Sequence, residues 1–169
     1  VNRGPLRLQN LSVLLASYVF YGWWDYRFLV LIVASTIADF FLGLLTGSCS
    51  SNRNQKLCVA ASVVFNIGLL GVFKYFNFFS ESLATLFNSF GVSLSPFTLD
   101  VILPVGISFY TFQTLSYTID IYKGKLSPTT DFIAFGSFVA FFPQLVAGPI
   151  ERASNLIPQF LNRRKFNYE

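Results

Sequence analysis

Long apolar runs separated by short polar segments make up most of the chain. Five runs carry at most one charged residue each, and they cover residues 8–24, 28–45, 57–73, 101–119 and 132–150. A helix that crosses a bilayer needs about 20 mostly apolar residues. The pattern therefore predicts an all-α fold, a multi-pass transmembrane helical bundle in which the first two runs form a hairpin.

Aromatic and polar residues mark where these runs end. The first run ends in a cluster typical of the membrane–water interface, Tyr18, Phe20, Tyr21, Trp23 and Trp24, followed by a polar turn at 25–27. Residues 46–56 form a loop by composition. Apolar residues at three- and four-residue spacing over 81–94 predict an amphipathic helix on the interface, although a tilted or shortened span fits the same residues.

The last apolar run contains residues that a straight helix does not accommodate. Pro143, Gly148 and Pro149 interrupt it, and proline removes a helical hydrogen bond. Within hydrocarbon, broken backbone is tolerated only where protein or a water-filled cavity covers it. We therefore predict a broken or re-entrant segment over 142–150, lining an internal cavity.

The basic residues lie between the runs in small groups. Arg3, Arg7, Arg53 and Lys56 fall on one side of the membrane if the first two runs form a hairpin, and the positive-inside rule makes that side cytoplasmic. Lys123 and Lys125 return to that side after the run at 101–119. A re-entrant last segment also keeps the basic residues at 163–165 there.

Composition excludes several functional classes. Hydrophobic residues make up 53% of the 169 residues and charged residues only 12%, which is too little charge to coat a soluble enzyme. The sequence has no histidine, so no imidazole chemistry originates within it. The +4 net charge is scattered and does not form the dense basic stripe of a nucleic-acid surface. Two cysteines without histidine predict no metal site.

One charged residue lies deep inside an apolar run. Asp39 is the only charge in 28–45, where an unpaired carboxylate is costly. Two interpretations follow, a proton or ion site and a hydrogen-bonded strut, and the strut is the more common.

The richest polar pattern lies in the run at 101–119. Tyr110, Gln113 and Tyr117 are spaced three and four residues apart and so share one helical face. Buried hydroxyl and amide groups need partners, so this face is expected to meet other helices or a polar tunnel rather than lipid. Packing between helices accounts for most such faces.

Several motifs resemble the membrane-bound O-acyltransferase (MBOAT) family. They are LPVGISFYTFQ at 103–113, YTIDIY at 117–122 and FFPQLVAGPI at 141–150, and the runs SYVFYGWW at 17–24 and DFFLG at 39–43 are also similar. The resemblance covers nearly the whole chain and is greatest to the bacterial branch that includes alginate O-acetyltransferases. It implies that residues 1–169 are one partial transmembrane domain of that family, incomplete at both ends.

The resemblance also implies a function. Members of the family move an acyl group, commonly acetyl, through an internal tunnel from a cytoplasmic donor to an acceptor hydroxyl. The expected donor is acetyl-CoA or an acyl-carrier thioester, with no resident cofactor. The expected partners are the lipid bilayer and a polysaccharide acceptor or an extracellular acyl-relay protein, in the bacterial inner membrane. The family's catalytic histidine has no counterpart here, so the 169 residues alone are expected to be inactive.

We expect the tunnel wall to include the polar face of 101–119 and the broken segment. The candidate residues are Tyr110, Gln113, Tyr117, Gln144, Gly148 and Pro149. Two other functions fit the pattern of residues. A transporter or flippase would use Asp39 and the broken helix as its site, and a membrane scaffold would dock a partner through 81–94.

Overall fold

The computed structural model describes residues 4–98, 104 and 106–162. Within them the chain is helical and contains no strand, which confirms the all-α prediction. The α-helices are α1 (Gly4–Trp24), α2 (Tyr26–Ser48), α3 (Asn52–Leu70), α4 (Phe76–Ser89), α5 (Ile107–Tyr122), α6 (Phe132–Val139), α7 (Phe142–Ala147) and α8 (Ala153–Leu161), and a π-helical turn (Gly71–Tyr75) joins α3 to α4.

Two helices among the described residues are long and apolar enough to cross a membrane, α2 and the continuous helix Asn52–Ser89. The first is the predicted run at 28–45 with its ends extended. Helix α1 has the length of a span, but Arg7 and Asn10 in its first turns make it more polar. The fourth predicted run is shorter than expected, because α5 begins only at Ile107. The start of that run, 101–103 and 105, lies outside the described residues.

The predicted separate helix at 81–94 is wrong in its boundaries. Helix α4 continues α3 through the π-helical turn and ends at Ser89, so one helix runs for 38 residues. Lys74 lies within the π-helical turn and does not interrupt the helix. A stripe at helical spacing looks the same whether its helix is free or continuous, which is why the pattern did not reveal the join.

Helices α3 and α5 run antiparallel, with polar side chains bridging them along their length. The hydrogen-bonded pairs are Asn52 with Tyr122 (3.3 Å), Ser62 with Thr118 (3.2 Å), Asn66 with Thr114 (3.1 Å) and, from the π-helical turn, Lys74 with Ser108 (3.1 Å). Residue numbers therefore fall along α5 as they rise along α3. Helix α2 packs against both helices. These three helices form the centre of the bundle.

The last part of the chain enters the bundle and returns. Contacts with α1 follow its course: Arg7 with Asp131 (3.8 Å), the Asn10 carbonyl with Ser137 (2.9 Å), Ser17 with the Phe142 amide (3.4 Å), and then the Asn10 side chain with the Phe160 carbonyl (2.7 Å). Helix α6 therefore runs parallel to α1, and α8 comes back to the level of Asn10. This is the path of a re-entrant segment. The basic residues at 163–165 lie outside the described residues.

This segment is broken twice, once just before the predicted range 142–150 and once within it, at Gly148. Helix α6 ends at Val139, and the chain turns at Ala140 and Phe141. Residues 142–147 are helical although they contain Pro143, because this proline lies in the first turn of α7, where its missing N–H would have no helical partner. The helix then ends at Gly148.

The small residues Gly43 and Gly47 of α2 allow close packing. A Cβ atom on Gly43 would overlap the Tyr117 ring, and one on Gly47 would overlap Pro128. The loop after α5 therefore lies against the end of α2. This places Lys123 and Lys125 near the α2–α3 turn, at the same end of the bundle as Arg53 and Lys56.

Candidate functional site

Helix α5 positions the polar residues on which the sequence prediction rests. Gly106 precedes it with φ of +79°, a conformation that favours glycine, and the Gly106 carbonyl accepts the Tyr110 amide N–H at 3.0 Å. Only about 3.4 Å separates a Cβ atom built on Gly106 from the Leu145 Cβ, so the start of α5 packs directly on α7. The helix then presents different faces to α2 and α3, to α6 and to α8.

One face of α5 contributes to a buried polar network around Asp39. The Asp39 carboxylate is fully buried and accepts hydrogen bonds from Ser62 Oγ (2.8 Å) and Asn66 Nδ2 (2.9 and 3.0 Å). Ser62 in turn bonds Thr118, and the Thr114 hydroxyl donates to Asn66 Oδ1. Donors from another helix therefore surround the carboxylate, the geometry expected of a strut joining α2, α3 and α5.

Tyr117 lies in the core between α2 and α6. Its ring centroid is 4.6 Å from that of Phe135, and its hydroxyl accepts the Thr129 amide N–H at 3.1 Å. The side chain is fully buried and has partners for both its ring and its hydroxyl. Its assignment to a tunnel wall stays a prediction.

Tyr110 and Gln113 differ from Tyr117 because their polar atoms have no partner among the described residues. The Tyr110 hydroxyl and both amide atoms of Gln113 are buried without a hydrogen bond, and neighbouring Thr111 Oγ1 is in the same state. A buried polar group without a partner costs about 1–3 kcal/mol. Such groups are therefore expected where a polar molecule or substrate group is bound during function.

Tyr21 of α1 adds a further hydroxyl to this set. It was predicted at the membrane interface with Trp23 and Trp24, but it is 1% exposed and its hydroxyl has no partner among the described residues. The hydroxyl lies close enough to Tyr110 for an electrostatic interaction. The prediction of a hydroxyl in contact with water was wrong for Tyr21, because a cluster of aromatic residues in the sequence does not show which of them face the protein interior.

The three candidates from the broken segment lie around one turn. Gln144 is mostly buried, and its Nε2 donates to the Pro149 carbonyl at 3.0 Å, which closes the turn after α7. Its Oε1 is buried without a partner among the described residues. Gly148 approaches Gln144 so closely that a Cβ atom there would contact the Gln144 backbone, while Pro149 is exposed. Gln144 is therefore the candidate from this turn with a polar atom still available.

Sequence reasoning missed Ser62 and Asn66, which bind the Asp39 carboxylate. The signal available was their spacing of four residues inside the apolar run at 57–73, which places both on one helical face. The pattern shows a polar face but does not identify the helix that it meets. Among the described residues, no group of three or more histidine, cysteine, aspartate or glutamate side chains is placed to hold a metal ion.

The chain is similar to known bacterial O-acetyltransferases over nearly its whole length. It is 43% identical over 159 residues to "Probable alginate O-acetylase AlgI" of Pseudomonas aeruginosa, a match that covers 93% of this chain and 30% of that protein. The protein of the same name from Azotobacter vinelandii is 42% identical over 161 residues, covering 94% of this chain and 32% of that protein. These relatives confirm the resemblance to the membrane-bound O-acyltransferase family over the part of those proteins that the chain matches.

A second kind of relative acts on a different polymer according to its name. The "Peptidoglycan O-acetyltransferase" of Helicobacter pylori is 33% identical over 192 aligned residues, which cover 98% of this chain and 35% of that protein. The chain thus spans about a third of the length of the membrane-bound O-acyltransferases that it matches. No protein-family model matches the sequence, and no solved structure matches it.

Proposed function

We propose that this chain forms part of an enzyme that transfers acetyl groups to hydroxyls of an exported or cell-surface polysaccharide. The observation that carries the proposal is the 42–43% identity to alginate O-acetylases over 93–94% of the chain. The peptidoglycan O-acetyltransferase shares the same reaction type on another glycan. Because the relatives differ in acceptor, the proposal names the reaction and the acceptor class and leaves the polymer to experiment.

The proposed location is the bacterial inner membrane, with several segments embedded in it. Helix α2 and the helix Asn52–Ser89 have the composition of spans. The contacts of Arg7 with Asp131 and of Asn52 with Tyr122 bring Arg7, Arg53 and Lys123 to the end of the bundle that holds the α2–α3 turn. By the positive-inside rule this end faces the cytoplasm, where acetyl-CoA or an acyl-carrier thioester is the proposed donor.

The acetyl group is proposed to pass the buried face that includes Tyr110 and Gln113. An amide N–H and phenolic O–H groups donate hydrogen bonds, and the carbonyl oxygen of an acyl group accepts them. The partnerless oxygen of Gln144 supplies an acceptor at the neighbouring turn. These groups can orient an acyl group and exclude water. The sequence holds no histidine, so we propose that imidazole chemistry comes from outside these 169 residues and that they do not transfer acetyl alone.

Deletion of the gene tests the reaction. We expect surface or exported polysaccharide from the deletion strain to lose ester-linked acetate, measured after mild alkaline release, and the full-length gene to restore it. Unchanged acetate in every glycan fraction would contradict the proposal. Acetate lost from alginate-like polymer, peptidoglycan or another glycan would identify the acceptor.

Replacement of Gln113 by Leu in the full-length protein tests whether the acetyl group passes this residue. Leucine removes two partnerless polar atoms, so a purely structural role predicts equal or higher thermal stability and unchanged transfer. We expect stability to be kept while the acetate content falls about tenfold, the loss of one good hydrogen bond to a substrate group. Gln144→Leu is expected to act in the same direction, and exposed Gln159→Leu is the matched control. Full acetate content in Gln113→Leu would remove this residue from the path.

A further inference from the structure

An apolar groove lies on the surface between the end of α1 and the start of α7. Its volume is about 370 Å³, and its walls are Ala16, Val19, Phe20, Trp23, Trp24 and Phe142. Phe142, directly after the turn at Ala140 and Phe141, forms one wall, because its amide lies within 3.4 Å of Ser17 Oγ and its ring within 5.1 Å of the Phe20 ring. The groove is therefore a product of the break between α6 and α7.

A polar pocket lies beside the groove, at the α1–α2 turn. That pocket has a volume of about 420 Å³ and is formed by Gly22, Trp23, Trp24, Asp25, Tyr26 and Arg27. Trp23 and Trp24 border both spaces, so the apolar and polar parts are adjacent. An amphipathic ligand would place its chain in the first part and its head in the second.

The aromatic residues place this surface at the edge of a membrane. Trp23 is 90% exposed and Trp24 is 69% exposed. Exposed tryptophan at the end of an apolar helix is typical of the headgroup level of a bilayer. The polar pocket then lies among headgroups, and the groove extends toward the acyl chains.

The charges at the turn fit a head that carries both signs. Arg27 supplies a guanidinium, which binds phosphate oxygens well, and Asp25 supplies a carboxylate. One Asp25 oxygen accepts the Arg27 amide N–H at 2.8 Å and caps α2, but a carboxylate accepts several hydrogen bonds and can also bind an ammonium group. An anionic headgroup would meet the same guanidinium but would offer no cation to Asp25.

We propose that this surface binds one phospholipid with a phosphatidylethanolamine headgroup, its phosphate on Arg27, its ammonium group on Asp25 and an acyl chain in the groove. The proposal rests on the membrane location given under the proposed function and does not depend on acetyl transfer. It adds a lipid site that is separate from the buried face of α5.

The test is lipid retention by the full-length protein. We expect native mass spectrometry in mild detergent to detect one bound dioleoyl phosphatidylethanolamine, in preference to dioleoyl phosphatidylglycerol, and in preference to phosphatidylcholine because its quaternary ammonium has no N–H to donate to Asp25. Arg27→Gln is expected to weaken the apparent affinity about tenfold, the loss of one charge-assisted contact. Ala16→Trp is expected to abolish retention by filling the groove. Arg53→Gln and Leu15→Trp, exposed positions that do not line this surface, are the matched controls.

The possible outcomes separate this site from the enzymatic proposal. Equal retention of the three lipids, or retention that none of the groove variants reduces, would overturn the lipid site whatever the acetate measurements show. Retention lost equally in the Leu15→Trp control would also count against it. Normal lipid binding in a strain without acetylation would overturn only the enzymatic proposal.

Discussion

Among the described residues, buried polar side chains are of two kinds, those with hydrogen-bond partners and those without. Asp39 was predicted as a buried charge, and its donors Ser62 and Asn66 come from a run in which they were not singled out. Tyr110 and Gln113 were predicted as a polar face, and the structure adds that their polar atoms lack partners among the described residues. Spacing shows which residues of one helix share a face. It cannot show which helix they meet, because that depends on contacts distant in sequence.

The Asp39 network should be sensitive to the loss of one donor. Asn66→Leu removes both hydrogen bonds that the amide makes to the carboxylate and leaves a buried charge less compensated. We expect a loss of about 2–4 kcal/mol in stability, measured by thermal or denaturant unfolding of the full-length protein in detergent.

A double replacement distinguishes the network from simple packing. Asp39→Leu with Asn66→Leu removes charge and donor together, so its cost should be smaller than the sum of the single costs. Exposed Asn54→Leu on the same helix should have little effect. Additive costs for the two single replacements would show that the residues are not coupled.

Gly43→Ala should destabilise the molecule through one contact. Its Cβ would overlap the Tyr117 ring, and overpacking of this kind costs about 1–3 kcal/mol, more than alanine gains in a helix. Gly68→Ala in α3 is the control, because no atom lies within 4 Å of the new methyl group. We expect a lower unfolding temperature for the first and an equal or higher one for the second. The reverse order would contradict the close packing of α2 on α5.

Whole elements differ from their predicted versions mainly at their ends. Helix α5 begins at Ile107 rather than at 101, and the last segment is broken at Ala140 and Phe141 in addition to the break within the predicted range 142–150. Both differences have a local cause. Gly106 adopts a positive φ at which α5 starts, and a proline in the first turn of a helix is tolerated. Apolar composition cannot place such boundaries, because the hydrophobic run continues through them.

Gly106→Ala tests how α5 begins. The replacement forces a side chain into the left-handed region, at about 1–2 kcal/mol, and also places a methyl group against Leu145 of α7. Gly124→Ala has a similar positive φ with open space around it, so it reports the backbone cost alone. We expect both variants to lower the unfolding temperature and only Gly106→Ala to reduce the acetate content. Equal effects on acetate would show that the contact with Leu145 is unimportant.

At the scale of the whole molecule, the return path of the last segment was predicted from charge and agrees with contacts. The distribution of basic residues predicts that the end of the chain returns to the side of the membrane on which Arg7 lies. In the structure Phe160 lies beside Asn10, in the same part of α1 as Arg7. The resemblance to the family was predicted from motifs and is confirmed by the relatives. The pairing of α3 with α5 was not predictable, because it needs the packing of distant segments.

Cysteine labelling tests the return path. Cys49 and Cys58 are first replaced by serine, and single cysteines are placed at Arg53, Asn162 or Trp23 in the full-length protein. We expect a membrane-impermeant maleimide to label positions 53 and 162 from the same side and position 23 from the other. Labelling of position 162 together with position 23 would mean that the last segment crosses the membrane.

The π-helical turn at Gly71–Tyr75 changes the rotational phase of the long helix. An extra residue in one turn rotates everything after it by about 100° relative to an uninterrupted α-helix. The face of α3 that carries Ser62 and Asn66 therefore does not continue along α4. The phenylalanines of α4 at 78, 79 and 87 are exposed. One rod of about 57 Å thus has two differently oriented halves. Removing a single residue from this turn would turn the second half around its axis while leaving the inner half unchanged.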